Sequence, residues 1–329
     1  MAALRSDQID LDATPYYHCM VRCVRRAFLC GADHKSGKDF EHRKAWLRDR
    51  VRFLADIFTI DVFAYAFMSN HLHLVLCVDA ERAAGLTEAE VIERHTRLFP
   101  TTRAKLEALA SSPEEHKALV ASWRARLCDL SWMMRAINEY IARKANGEDD
   151  TGGRFWESRF RCQPILDEGG LLTCMAYVDL NPIRAGVAKT LRGAAFTSVQ
   201  ERLRKRRALA RDGDEEPGDE QPPDLAPDSL APFQDQVSHS PRQPIPAGLD
   251  DYLALLQWTG RQVAPGKKGT LAKDPPELLA AHGFDPHSWL ESLRDSRLAI
   301  ATRLGSPRAL AADARRRGKR WCRGVGSGE

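Results

Sequence analysis

The sequence predicts an α+β fold: one antiparallel sheet with helices on one face, a helical insertion, and a small α-helical C-terminal module after a disordered linker. Three observations lead there. Short stretches rich in aromatic and β-branched residues, Tyr16 to Val24, Ile60 to Phe67 and His71 to Leu76, alternate as strands do. Between the first two, Phe40 to Phe58 carries Trp46, Leu47, Val51, Phe53, Leu54 and Ile57 at helical spacing. A strand–helix–strand–strand order with a later strand and helix fits one antiparallel sheet backed by helices.

Taken in order, Met68-Ser69-Asn70 turns the chain from the second strand into the third. Glu81 to Asn146 reads as wholly helical, with an insertion at about 81–129. Within it Leu98-Phe99-Pro100 ends one helix. Ser112-Pro113-Glu114-Glu115 starts another, with serine as N-cap, proline in the first turn and acids at the positive end. Trp132, Met133, Ile137 and Ile141 form an apolar stripe that reads as core, and Asn146-Gly147 closes that helix. Arg161 to Ile165 adds a strand, and a helix runs from Leu171 to about Leu180, stopped by Asn181-Pro182.

Residues 1–200 form the first domain on this reading. Residues 201–246 form a linker, because Asp212 to Asp228 is dense in acids and prolines and has too little apolar content to order itself. Residues 247–329 form the C-terminal module, with helices at Leu249–Val263, Pro276–Ala281 and Trp289–Leu304 and a basic, glycine-bearing tail from Arg315 that reads as mobile.

Composition narrows the function classes. The formal charge of the 329 residues is only +4, yet basic residues cluster at Arg202–Arg211 and again at Arg315–Arg323. The eight cysteines make no C-x-x-C pair, which argues against a structural zinc site and for a reducing, intracellular setting. The opening residues, with Arg5, Asp7 and Asp10, do not read as a signal peptide, and no apolar run is long enough to span a bilayer.

His71 and His73 are two apart on a strand, so they share a face while Leu72, Leu74 and Leu76 point into a core. Two imidazoles on a rigid strand make a pair of nitrogen ligands for a divalent metal. They could equally be two histidines on a solvated face. Tyr177 and Asn181, four apart on a helix, lie one turn from each other on one face. If the helix packs across the sheet the four can converge. His71, His73 and the amide oxygen of Asn181 would then hold Mg²⁺ or Mn²⁺, and Tyr177 would attack a phosphodiester to leave a 5′-phosphotyrosine and a free 3′-OH. Tyr140 is the rival nucleophile, but Lys144, not a metal ligand, follows it by one turn. Tyr16, Tyr17 and His18 on the first strand could line the site or pack, and packing is the favoured reading.

A second feature interleaves rings with cations: Arg154, Phe155, Trp156, Arg159 and Arg161. Such a stretch suits single-stranded nucleic acid, with arginines on phosphates and rings on bases. It suits equally a loop whose aromatics anchor it to the core. Arg184 joins these candidate DNA contacts.

Four segments resemble the REP-associated tyrosine transposases, within the single-tyrosine HUH transposase superfamily: Tyr16 to Val24, Phe67 to Leu76 (FMSNHLHLVL), Gly153 to Phe160 (GRFWESRF) and Ala176 to Gly186 (AYVDLNPIRAG). The resemblance covers roughly residues 10 to 195. It implies a ferredoxin-like domain, with the histidine–hydrophobe–histidine motif on His71, Leu72 and His73, the nucleophile on Tyr177 and the helical metal ligand on Asn181. It further implies a metal-dependent strand transferase that cuts and rejoins single-stranded hairpin DNA, cytoplasmic and nucleoid-associated in a bacterium. A homodimer with the tyrosine helix of one subunit at the histidines of another is compatible with it. The long insertion and everything beyond residue 200 fall outside the resemblance; the basic tail would add salt-sensitive, sequence-independent DNA affinity. Two other classes stay open: a domesticated, non-catalytic hairpin-DNA binder, and a relaxase or replication initiator, which shares the paired histidines.

Overall fold

Strand β1 (Tyr16–Arg22) is followed by helix α1 (Arg43–Ile57), β2 (Ile60–Phe67) and β3 (His71–Val78). Five helices come next: α2 (Ala80–Gly85), α3 (Glu88–Leu98), α4 (Thr102–Ala108), α5 (Pro113–Leu127) and α6 (Leu130–Glu148). Strand β4 (Arg161–Ile165) then leads to α7 (Glu168–Asp179), α8 (Asn181–Arg184) and α9 (Ser198–Arg211). The rest comprises α10 (Leu249–Val263), α11 (Glu277–Ala281), α12 (Pro286–Arg294), β5 (Arg303–Leu304), α13 (Pro307–Arg316) and β6 (Gly324–Val325). This is a computed structural model, and it describes residues 8–24, 29–31, 37–108, 112–211, 229–236, 240–264, 274–294, 298, 301–322 and 324–325.

The fold is α+β. The sheet order is β2-β3-β1-β4-β5-β6. The first four strands pair antiparallel in the ferredoxin-like order, as the sequence predicts. Alternation sorts their side chains. Tyr17, Cys19 and Val21 of β1 and Leu72, Leu74 and Leu76 of β3 enter one apolar cluster with Leu47, Val51 and Leu54 of α1 and Met133, Ile137 and Ile141 of α6. Helices α1 and α6 thus cover this face. Arg43 is fully buried there and ties α1 to the end of α6 through Glu148, at 2.6 Å, and Asp149.

The opposite face is covered too, and the single-face expectation does not extend to it. Val75, Cys77, Phe63 and Ala66 pack beneath α7, and α7 in turn packs beneath Tyr252, Leu256, Trp289 and Leu293 of the C-terminal helices, all in one continuous apolar cluster. Every residue of α7 from Gly170 to Asp179 is buried. A helix apolar on all sides needs cover on all sides, so residues beyond 229 are not a module with a core of their own.

The stretch 81–146 is a series of helices that breaks after Leu98 and restarts at Pro113, as expected. Other expectations change for local reasons. Thr87 caps α3 through a capping box with Glu90, and Asp129 caps α6 by accepting from the backbone of Ser131 and Trp132. Ser112 makes no side-chain cap bond. In the expected linker, α9 is helical. Beyond it Ala231 donates from its backbone to Val62, and Arg242 pairs with Asp56 and Asp61. The acidic stretch 212–228 lies outside the described residues. Of the helix expected from Trp289 to Leu304, α12 supplies the part up to Arg294, residues 295–297 and 299–300 lie outside the described residues, and Leu304 instead pairs in parallel with Ile165 as a sheet strand. The tail expected to be mobile begins as the last turn of α13 and returns as β6.

Candidate active site

Strand register assembles the first part of the site. Across the sheet His71 lies opposite Arg22, His73 opposite Met20, and His18 opposite Gln163. All of these side chains except the opposing leucines point to the α7 face, so His18, His71 and His73 form one patch. The rings of His71 and His73 are 4.8 Å apart, edge to face, and those of His18 and His73 are 5.1 Å apart and stacked.

Helix α7 supplies the second part. Its N-terminus is capped by the Asp167 carboxylate, which accepts from Gly170 N at 2.7 Å. Its last residue, Asp179, accepts from Ser198 Oγ at 2.5 Å, Val199 N at 3.0 Å and Tyr252 Oη at 2.8 Å. Both ends are therefore fixed, and the helix axis runs over the histidines. The chain turns through Leu180 into α8, where Pro182 sits in the first turn and leaves no backbone donor missing.

The tyrosine and asparagine do meet the histidines, within one chain. The Tyr177 ring is 5.8 Å from that of His73 and 6.3 Å from that of His18. Asn181 Nδ2 is 3.2 Å from His73 Nε2. The Arg184 guanidinium lies over the Tyr177 ring at 4.3 Å, which places a positive charge at the phenol. Tyr177 is 6% exposed, and its hydroxyl has no protein hydrogen-bond partner among the described residues and is not sealed from solvent. Tyr140, on α6, belongs to the other side of the sheet, half-exposed between Arg50 and Lys144.

Burial governs the charge of the rings. It pushes the His71 imidazole down to about 4, with Arg22 adding to the effect. The same desolvation takes His18 to about 4, against its hydrogen bond to Gln163, and holds His73 well below its usual range, with His18, His71 and Arg184 lowering it further. All three rings are neutral near pH 7, the state in which imidazole can ligate a metal.

The donor set was tested against a divalent ion. Among the described residues no three His, Cys, Asp or Glu side chains are disposed to hold one, so the amide is essential to any site here. Nδ1 of His71 is engaged with Asn70 Oδ1 at 2.5 Å, which leaves its Nε2 for a ligand. His73 Nε2 and the Asn181 amide stand 3.2 Å apart. Adjacent ligands on an octahedron with ~2.1 Å bonds are about 3 Å apart, so the pair fits once the amide presents its oxygen. His73 and Asn181, with the free Nε2 of His71 beside them, are thus the residues that could hold Mg²⁺ or Mn²⁺.

Comparison with known proteins adds one likeness. No family model and no curated protein matches the chain. A solved structure of a REP-associated tyrosine transposase bound to a REP hairpin is similar in outline. The TM-score is 0.38 and the identity 14%, over 67% of this chain and 93% of that one.

The aromatic–arginine segment divides. Phe155 is 2% exposed and sits in the α1–α6 core, and Trp156 donates from Nε1 to the backbone oxygen of Asn138 at 2.8 Å. These two rings anchor the loop and are not free to stack on bases. That corrects their assignment as DNA contacts. Arg154, Arg159 and Arg161 are exposed. Arg161 extends to the histidine face and contributes to the lowering of His18. In the basic tail Arg316 and Arg317 are tied to Asp313, and Arg316 also to Asp10, whereas Arg315, Lys319, Arg320 and Trp321 are exposed.

Sequence reasoning missed three residues. His18 is fully buried in the patch and not merely packing, Gln163 holds it at 2.6 Å, and Arg22 flanks His71. The signal was available: on an antiparallel pair, His18 sits diagonal to His73 once the register is known.

Among the described residues no helix is long and apolar enough to cross a membrane.

Proposed function

We propose that the chain is a metal-dependent, transposase-type DNA strand transferase that nicks and rejoins single-stranded, REP-like hairpin DNA through a 5′-phosphotyrosine. One observation carries this reading: a solvent-reaching tyrosine hydroxyl on a buried helix is held beside two strand histidines, with an asparagine amide one turn on. The motif resemblance of the four segments supports it.

His71, His73 and Asn181 would hold Mg²⁺ or Mn²⁺, which when bound acts as a Lewis acid on the scissile phosphate. The chain's own residues do the rest. Packing of α7 between sheet and C-terminal helices fixes the Tyr177 ring, so little orientation entropy is left to lose. Tyr177 Oη gives its proton to solvent and bonds to phosphorus. The bond from phosphorus to the 3′ oxygen breaks, and that oxygen leaves as a 3′-hydroxyl after taking a proton from water. Arg184 supplies positive charge where phenolate and phosphate meet. The phosphodiester energy is kept in the tyrosine ester, so a second 3′-hydroxyl can reverse the step and rejoin strands without ATP.

The test uses single-stranded hairpins drawn from the host's own repeats, with Mg²⁺ or Mn²⁺, and denaturing gels to detect protein–DNA adducts. An adduct that disappears in Tyr177→Phe while hairpin binding persists supports the reading. An adduct that survives the substitution reassigns the nucleophile. Hairpin binding without cleavage under either metal would make the chain a non-catalytic hairpin binder.

A further inference from the structure

We propose that Gln163 and His18 form a positioning relay, anchored on the backbone carbonyls of Leu298 and Ala301, that holds His73 with its proton on Nδ1 and its Nε2 lone pair toward Asn181. The relay rests on no substrate. Its link to metal binding rests on the reading of His73 as a ligand.

Each link in the relay fixes the next. The side-chain amide of Gln163 meets two backbone carbonyls, those of Leu298 at 3.0 Å and of Ala301. Carbonyl oxygens only accept, so the end facing them is the NH₂. The amide is thereby oriented, and its oxygen faces His18 Nδ1 at 2.6 Å. An amide oxygen cannot donate, so His18 Nδ1 carries the hydrogen. His18 is fully buried and pairs with no carboxylate among the described residues, so the ring is neutral and its Nε2 is bare. That nitrogen lies 2.9 Å from His73 Nδ1, which must then be the donor. His73 is left with Nε2 as its lone pair, 3.2 Å from an Asn181 amide nitrogen that donates to it.

The consequence reaches across the chain. A ligating histidine is tuned by whatever its second nitrogen contacts. Here that control passes through Gln163 to Leu298 and Ala301, 225 and 228 residues beyond His73 in sequence. The region past residue 200 is therefore part of the site and not an appendage.

Long-range ¹H–¹⁵N imidazole spectra of the metal-free, full-length protein near pH 7 test this directly, with His18→Asn and His73→Asn used for assignment. Protons on Nδ1 of both His18 and His73 are expected. A His73 proton on Nε2 overturns the proposal, and the readout itself is taken on the unmodified protein, the two variants serving only to assign it. Gln163→Met keeps the length and removes the acceptor. It is expected to give His73 as exchanging tautomers and to weaken Mn²⁺ binding about 10- to 100-fold. Unchanged tautomer and Mn²⁺ affinity in that variant would also overturn it. Neither readout depends on DNA, so a protein that forms no adduct sinks the proposed function and leaves the relay to the spectrum.

Discussion

Tyr252→Phe probes the contact that joins the C-terminal helices to the tyrosine helix. Tyr252 is fully buried on α10, and its hydroxyl donates to Asp179 Oδ2 at 2.8 Å. Phenylalanine fills the same volume, so no cavity forms and the apolar contacts to Phe233 and α7 remain. The loss is one hydrogen bond to a buried acid whose other oxygen keeps Ser198 and Val199. A hydrogen bond to a charged or strongly polar buried group is worth ~2 kcal/mol when one partner is removed. Unfolding entropy of ~2 cal/mol/K per residue gives ~0.7 kcal/mol/K for a chain of this size, so the midpoint should fall by about 3 °C. Calorimetry on wild type and variant reads this shift. The reasoning also sets a direction with pH. Burial raises the Asp179 carboxyl above its usual value, while the three donors oppose that rise. Removing one donor must raise it further, so the destabilisation should shrink as the pH is lowered and the acid takes up a proton. A midpoint unchanged within 0.5 °C, taking about 0.4 kcal/mol as negligible against this entropy, would show that Asp179 is not held as described.

Three further outcomes follow from separate parts of the molecule. Asp61 is fully buried between Arg82, at 2.7 Å, and Arg242, at 3.3 Å, so Asp61→Asn should cost about 3 kcal/mol, measured by urea unfolding, and speed proteolysis around residue 242. Burial lowers His95, stacked on Trp123, to about 4. The unfolded chain then takes up its proton first. Stability contributed by this group is complete above pH ~6.5 and is lost as pH falls toward 4, at up to about 1.4 kcal/mol per pH unit. His95→Phe should flatten that part of a stability–pH curve and leave the part above pH ~7 unchanged in slope. Arg184→Gln removes the positive charge beside Tyr177 where the proposed phenolate and phosphate would meet, and a loss of ~1–2 kcal/mol of transition-state stabilisation should slow adduct formation about tenfold, with a fall in midpoint of no more than about 3 °C from the lost ring contact; equal rates in a single-turnover assay would remove Arg184 from the site.

The first half of the fold was legible because each element carries its own periodicity. Leu72, Leu74 and Leu76 against His71 and His73 name the buried and functional faces of β3 from sequence alone, and α1 declares itself by Leu47, Val51 and Leu54. The pairing of Tyr177 with Asn181 was legible for the same reason, as one helical turn. What periodicity cannot give is register between distant strands. His18 looked like one more residue of an apolar strand until its diagonal relation to His73 was fixed by the β1–β3 pairing. Phe155 and Trp156 were ambiguous because ring composition is the same for a base-stacking surface and a loop anchor. Only burial and the Trp156–Asn138 bond distinguish them.

The C-terminal region was misjudged for a reason the sequence did contain. Leu171-Leu172-Thr173-Cys174-Met175-Ala176-Tyr177-Val178 has no polar stripe, so no face of α7 was meant for water. The sheet could cover only one side of it. Something else had to cover the other, and the amphipathic Leu249–Val263 stretch, whose stripe had no other partner, was the available surface. The close approach follows from one residue: a Cβ on Gly260 would stand 3.3 Å from Leu180 and 3.8 Å from Ile183. Glycine thus lets α10 lie directly on the turn between Tyr177 and Arg184. A tyrosine on a helix clamped this way, with Asp179 tied to two other helices and His73 oriented from Leu298 and Ala301, gains a fixed geometry that a tyrosine on a one-sided surface helix would lack.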